Sequence, residues 1–172
     1  DISRKLLNQA KQRAFQNVLF KQLDLSKKNI KLPASDFLFC CNVVMLPVLK
    51  KNVIMLENMA RALKRNASAV VVIPALESAL FSSWRLMEWY KREGVKPEQI
   101  SKDEFHCFKG TKTEIIQGIL YIDNVPTKHY SASELEVLLS QAGLKITALD
   151  KVEYKWNTEF QLPPSWMKAP YP

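Results

Sequence analysis

Apolar positions along the chain follow two periods. Leu6, Leu7, Ala10 and Ala14 recur at helical spacing, with Lys5, Gln9, Lys11 and Gln12 between them and Ser3 in the place of an N-cap. Residues 17–24 read as a short strand ending in an acid, and 26–31 as a polar connection. Residues 36–45 are a near-continuous apolar run, the pattern of a strand covered by helices on both faces. Leu49, Val53, Leu56, Met59, Ala60 and Leu63 then form one apolar helix face; Lys50, Asn52, Glu57, Arg61 and Lys64 cover much of the other, and Asn66 is a stop. Residues 67–73, closed by Pro74, make a second buried strand. Strand, helix and strand in this order form a βαβ unit, so 36–45 and 67–73 are expected as adjacent or near-adjacent parallel central strands.

The second half is less regular. Residues 77–92 carry Leu80, Phe81, Trp84, Met87 and Tyr90 at helical spacing, ended by Gly94 and Pro97. Two β-like runs, 104–108 and 114–122 with Gly110 between them, suggest a hairpin or antiparallel excursion. Ser131-x-x-Glu134 is a capping box before Leu135, Val137, Leu138, Leu139 and Ala142, and Gly143 is a C-terminal stop. Residues 144–149 read as a strand continuing through Val152 and Tyr154, and the proline-rich tail 162–172 as a loop.

At 172 residues the chain suits one domain. No run of eighteen apolar residues occurs, since Asn42 and Pro47 break the longest apolar stretch, so no membrane partner is expected. Cys40, Cys41 and Cys107 have no framework spacing, which together with the lack of a signal-peptide pattern suggests a cytoplasmic or nuclear protein rather than a secreted one. The net charge of +8 is compatible with an anionic partner. The cations are spread along helices without an aromatic-interleaved patch, which argues against nucleic acid without removing it.

The chain resembles a class I S-adenosylmethionine-dependent methyltransferase read from the end of its second strand. The junction Asp1-Ile2-Ser3-Arg4-Lys5-Leu6-Leu7-Asn8-Gln9-Ala10 looks like that family's Asp-Ile-Ser-x-x-x-Leu-x-x-Ala. Phe20-Lys21-Gln22-Leu23-Asp24-Leu25 is similar to the acid-ended third strand, and Asp36 to Val44 to the fourth. The run Tyr130-Ser131-Ala132-Ser133-Glu134-Leu135 through Gly143 resembles the helix before the sixth strand. The resemblance implies a Rossmann-like α/β fold: a mostly parallel sheet flanked by helices, here an incomplete methyltransferase fold. It makes residues 1–172 a single domain with an insertion or substrate lid at 78–125. It also implies S-adenosyl-L-methionine as cofactor, with Asp1 and neighbouring Ile2 at the ribose. Asp24 and Leu25 would lie at the adenine, and Cys41 and Asn42 near the methionine moiety. A carboxylate suits the ribose because it accepts two hydrogen bonds from a vicinal diol.

The family's first strand and Gly-rich loop would precede Asp1, and none of the four glycines here forms Gly-x-Gly. Either the native protein is expected to be longer, or this is a relative that does not bind the cofactor in the usual way. Trp84, Tyr90, His106, His129 and Tyr130 are the candidate substrate region, with Trp89 and Phe105 beside them. The histidines suit a general base, but no spacing makes them a metal site. Each assignment has an alternative: a solvated terminus for Asp1, a cap on the Ser26 turn for Asp24, a buried amide serving loop backbone for Asn42, and core packing for the aromatics. Three functions follow: methyl transfer to a small-molecule or protein acceptor, a non-catalytic methyltransferase-like interaction module, or a basic nucleic-acid-binding domain. A homodimer or partner chain is expected where a central strand would otherwise leave a gap.

Overall fold

The computed structural model describes residues 1–13 and 15–167. Helix α1 (Arg4–Lys11) begins where Ser3 caps it: the Leu6 N–H donates to Ser3 Oγ at 3.3 Å, and Leu7 is its buried residue. No ladder forms over 17–24. Among the described residues its long-range hydrogen bonds run to the chain start: the Leu23 N–H donates to the Asp1 carbonyl at 2.9 Å, and the Gln22 side-chain amide donates to the Ile2 carbonyl at 3.0 Å. A strand needs a neighbour that offers a full edge, and two residues do not make one. Asn17, at φ 63°, breaks the extended conformation as well.

Strand β1 (Ser35–Cys41) and strand β2 (Leu63–Val72) pair in parallel, Phe37 opposite Ser68, Phe39 opposite Val70 and Cys41 opposite Val72. Helix α2 (Leu49–Ala62) joins them, completing the expected βαβ unit. β1 is shorter than the apolar run because Asn42 turns left-handed at φ 52°. Asn66 is not the helix stop. The helix gives way to β2 at Leu63, and Asn66 sits at φ 63° inside the strand, where the register against β1 slips.

α2 has no side-chain N-cap. Asn52, expected on the polar face, is fully buried: its Oδ1 accepts from the Leu46 N–H at 3.0 Å and its Nδ2 donates to the Leu46 carbonyl at 2.7 Å. Asn58, also buried, donates to the carbonyls of Leu25 and Lys27, each at 2.8 Å. The two amides occupy an apolar helix face because loop backbone groups satisfy them.

Helix α3 (Leu76–Arg92) leaves β2 and Gly94 ends it in the left-handed region at φ 82°. The hairpin of the second half exists, but not where the β-like runs lie. Residues 102–108 form a kinked 3₁₀ segment, and helix α4 (Lys112–Ile116) begins at a reciprocal capping box between Thr111 and Glu114. Strand β3 (Ile119–Ile122) and strand β4 (Val125–Lys128) then pair antiparallel across Asp123 and Asn124. Both turn residues have positive φ, 48° and 66°, as a twist-matched two-residue hairpin turn requires. Helix α5 (Ala132–Gln141) follows, its Ser131 Oγ accepting from the Glu134 N–H at 3.2 Å.

The architecture is thus α/β with two small sheets, one parallel and one antiparallel, among the described residues. A single, mostly parallel sheet does not form. The core lies on one face of β1 and β2, where Cys40, Val44, Met55, Leu56, Met59, Tyr130 and Leu138 meet beneath α2 and α5. The opposite face is open: Phe37 and Phe39 are 57% and 63% exposed, so helices do not cover the sheet on both sides as the apolar run suggests. Residues 144–149 make no strand either. A cleft of about 680 Å³ lies between them and β2, so no ladder bond reaches across. The tail at 162–167 has no regular element, and the rest of the proline-rich tail lies outside the described residues.

Removing the Asn52 amide strands the Leu46 backbone groups. Asn52→Ala is expected to cost roughly 1–3 kcal/mol, the range for a buried hydrogen-bonding partner left unsatisfied. Exposed Lys50→Ala should stay within about 0.5 kcal/mol. Urea unfolding of both variants measures the difference.

Candidate functional site at the strand exits

Chain segments converge at the C-terminal ends of β1 and β2. The Asn42 N–H donates to the Val72 carbonyl at 2.9 Å, tying the left-handed turn to β2. Above it runs a crosspiece, residues 128–130. The Lys128 N–H donates to the Met45 carbonyl at 3.0 Å and the Tyr130 N–H to the Pro74 carbonyl at 3.0 Å, so one short segment holds both strand exits. Leu76 donates back to the Tyr130 carbonyl at 2.9 Å, and the His129 N–H donates to the Gly118 carbonyl at 2.7 Å, docking α3 and the hairpin. Only glycine serves at 118: its φ is +70°, and a Cβ would stand 2.3 Å from the His129 carbonyl oxygen.

All three side chains of the crosspiece are buried. Lys128, 2% exposed, donates to Glu134 at 2.6 Å and to the His129 carbonyl at 2.8 Å, and its ammonium lies 4.5 Å from the Tyr130 ring centre. A buried ammonium needs this compensation. The helix carries only the Ser131 half of the capping box, and the Glu134 carboxylate pairs with Lys128. His129 Nδ1 lies 3.1 Å from the Thr127 carbonyl. Burial pushes the imidazole below its usual value, and the Lys128 charge adds to this, against the opposing effect of the Thr127 carbonyl. Burial and then the Glu134 charge raise the Tyr130 phenol well above its usual value. The neighbouring Asn52 amide opposes this rise, but the hydroxyl makes no hydrogen bond of good geometry among the described residues.

The other candidate residues are dispersed. Asp1 is exposed, and its carboxylate accepts from the Ser3 N–H at 2.7 Å. Asp24 takes the capping role: its Oδ1 accepts from the Ser26 hydroxyl at 2.7 Å and the Ser26 N–H at 3.0 Å, and these bonds hold its pKa below the usual carboxylate value. Leu25 packs against the main core, while Ile2 and Cys41 are exposed. Backbone bonds bring the Asp1 segment beside the one ending in Asp24, but no hydrogen bond among the described residues links either to Asn42.

The substrate-region residues divide as well. His129 and Tyr130 sit at the strand exits. Tyr90 donates to Glu104 at 2.7 Å, exposed His106 lies 3.1 Å from the Asp103 carbonyl, and Trp84 is half exposed. Trp89 instead packs in a second core with Phe81, Trp156, Phe160, Trp166 and Met167, where the Arg85 guanidinium lies over three tryptophan rings. Lys128, Asn52 and Gly118 escaped the sequence reading. A lysine beside a capping box was the one available signal, and nothing in its sequence position marked it as buried. No group of three or more His, Cys, Asp or Glu among the described residues is arranged to hold a metal ion. No family model, no curated protein and no solved structure matches the chain.

The lowered His129 pKa fixes the sign of a pH effect. The unfolded chain takes up the proton near the ordinary value of about 6.5, while the folded chain resists it. The stabilising contribution is therefore full above about pH 6.5 and is lost as pH falls through that value toward the folded pKa. Urea unfolding at about pH 7.5 and about pH 5.5 is expected to show lower stability at the acid pH, and His129→Gln to remove most of that difference.

Proposed function

We propose that the chain is part of a class I methyltransferase that transfers a methyl group from S-adenosyl-L-methionine to a small-molecule or protein acceptor. One observation carries the reading: the first strand of the βαβ unit, β1, ends on a left-handed Asn42, in the sequence order that the resemblance implies. Open α/β sheets bind ligands beyond the carboxyl ends of such strands. The hydrogen-bonded placing of Asp1–Ile2 beside Lys21–Leu23 supports it, since it sets the segments that carry the proposed ribose and adenine acids side by side.

The polar groups fit the cofactor in part. Asp1 is exposed, and both Ser26 bonds fall on one oxygen of Asp24, leaving the other for an adenine amino group. The backbone floor that a Gly-rich loop supplies is not formed by residues 1–172. When bound, the cofactor's sulfonium supplies the electrophilic methyl. The protein's share is to align the acceptor and exclude water, which needs no acid–base dyad.

A second reading is a non-catalytic interaction module of the same fold. It is favoured by the local use of both acids, Asp1 on Ser3 and Asp24 on Ser26.

Calorimetric titration separates the two. The 172-residue chain is expected to bind S-adenosylmethionine weakly or not at all, because a ligand is held by a largely pre-formed concave surface. A longer form carrying a Gly-rich loop upstream of Asp1 is expected to bind it. In that form Asp1→Asn should weaken affinity roughly tenfold to a hundredfold, the value of a charge-assisted hydrogen bond. Tight binding by the 172-residue chain would show that the cofactor site lies elsewhere. Failure of the longer form would favour the interaction module.

A further inference from the structure

The cations are spread along the chain, but its net charge is concentrated at one end, where acids are scarce. Residues 1–31 hold eight Lys and Arg against Asp1 and Asp24, a net +6 out of the chain's +8. None of these eight cations is in an ion pair among the described residues; the described ion pairs all involve Lys64, Arg85, Arg92 or Lys128. The same segment exposes large apolar side chains. Leu6 is 54% exposed, Phe15 57%, Val18 50% and Leu19 89%. They are interspersed along the chain with Lys5, Lys11, Arg13 and Lys21, each of which is exposed.

Cations alone attract any polyanion, and the apolar residues decide between the classes. A nucleic-acid surface stacks bases on aromatic rings. This segment has no Tyr or Trp, and three of those four exposed apolar residues are aliphatic. Aliphatic side chains interleaved with Lys and Arg match an interface in which the apolar groups enter the acyl boundary and the cations meet anionic headgroups. The lack of a spanning helix does not bear on this, because an interfacial segment lies in the plane of the bilayer.

We propose that residues 1–31 form a docking surface for an anionic lipid bilayer. The inference does not rest on the methyltransferase reading. If both hold, the acceptor is drawn from molecules that partition into the bilayer surface, since Asp1 and Asp24 lie within the docking segment.

Co-sedimentation of the 172-residue chain with vesicles tests it. Vesicles of phosphatidylcholine with about a third phosphatidylglycerol should pellet the chain at low salt, and pure phosphatidylcholine should not. Raising salt to roughly 0.5 M should release most of the bound chain by screening. The Phe15→Ser, Leu19→Ser double variant and the Lys11→Gln, Arg13→Gln double variant should each weaken binding roughly tenfold or more. These positions are exposed, so thermal unfolding should be close to that of the parent chain and should separate lost docking from lost fold. Equal binding to both vesicle types, or none to the anionic ones, overturns the proposal. Binding that ignores all four substitutions overturns the assignment to this segment. Salt-sensitive binding to a single-stranded oligonucleotide without vesicle binding replaces it with the nucleic-acid reading.

Discussion

Two parallel strands cannot be joined by a tight turn, and that constraint organises this molecule. β1 and β2 run the same way, so the chain must leave one end of the sheet, return along its length and enter again at the other end. α2 makes that return, and its buried face becomes the floor on which α5 and the loop at 25–27 settle. Both ends of the unit then carry backbone groups that the ladder does not satisfy. At the exit end Asn52 holds Leu46, and the crosspiece takes the carbonyls of Met45 and Pro74. Farther along α2, Asn58 holds Leu25 and Lys27. The core supplies the apolar burial, and buried polar groups fix how the loops attach to it.

The strand exits are therefore electrostatically unusual for a structural reason. The crosspiece is pinned on both flanks by backbone bonds, which forces Lys128, His129 and Tyr130 inside together. Lys128 is compensated by Glu134 and a carbonyl, His129 is held toward its neutral form, and the Tyr130 hydroxyl lies beside the Asn52 amide without a hydrogen bond of good geometry. Strongly shifted groups at the end of a parallel sheet are a mark of functional sites, and structural networks produce them too. Here the network has a visible structural task.

The βαβ unit was legible because its signals are local and redundant: two apolar runs, a helical stripe between them, and Pro74 closing the second. The cap at Ser131 and the stop at Gly143 were equally local. The polar interior was not legible. Asn52 looks like any surface amide until the Leu46 loop folds over it, and Lys128 looks solvated until the crosspiece carries it inward. Residues 104–122 misled for another reason. Short apolar runs do not distinguish a strand from a turn of helix, and the deciding signals were the Thr111–Glu114 capping box and the Asp123–Asn124 turn. For the candidate site, the apolar run extended to residue 45 and only the resemblance put Cys41 and Asn42 at the strand end; neither carried information on which distant loops would meet there.

Two of the expected strands that do not form share one cause. Residues 17–24 and 144–149 have adequate β composition, but a strand is stable only against a neighbour that satisfies its backbone and packs its side chains. Among the described residues, 17–24 find long-range hydrogen bonds only at the first two residues of the chain, and 144–149 face β2 across an open cleft. The same shortage of neighbours leaves Phe37 and Phe39 facing outward, although their run reads as doubly buried. Apolar patterning states which surfaces would be covered in a complete sheet. Pairing decides which are, and the described residues supply only one parallel partner for β1.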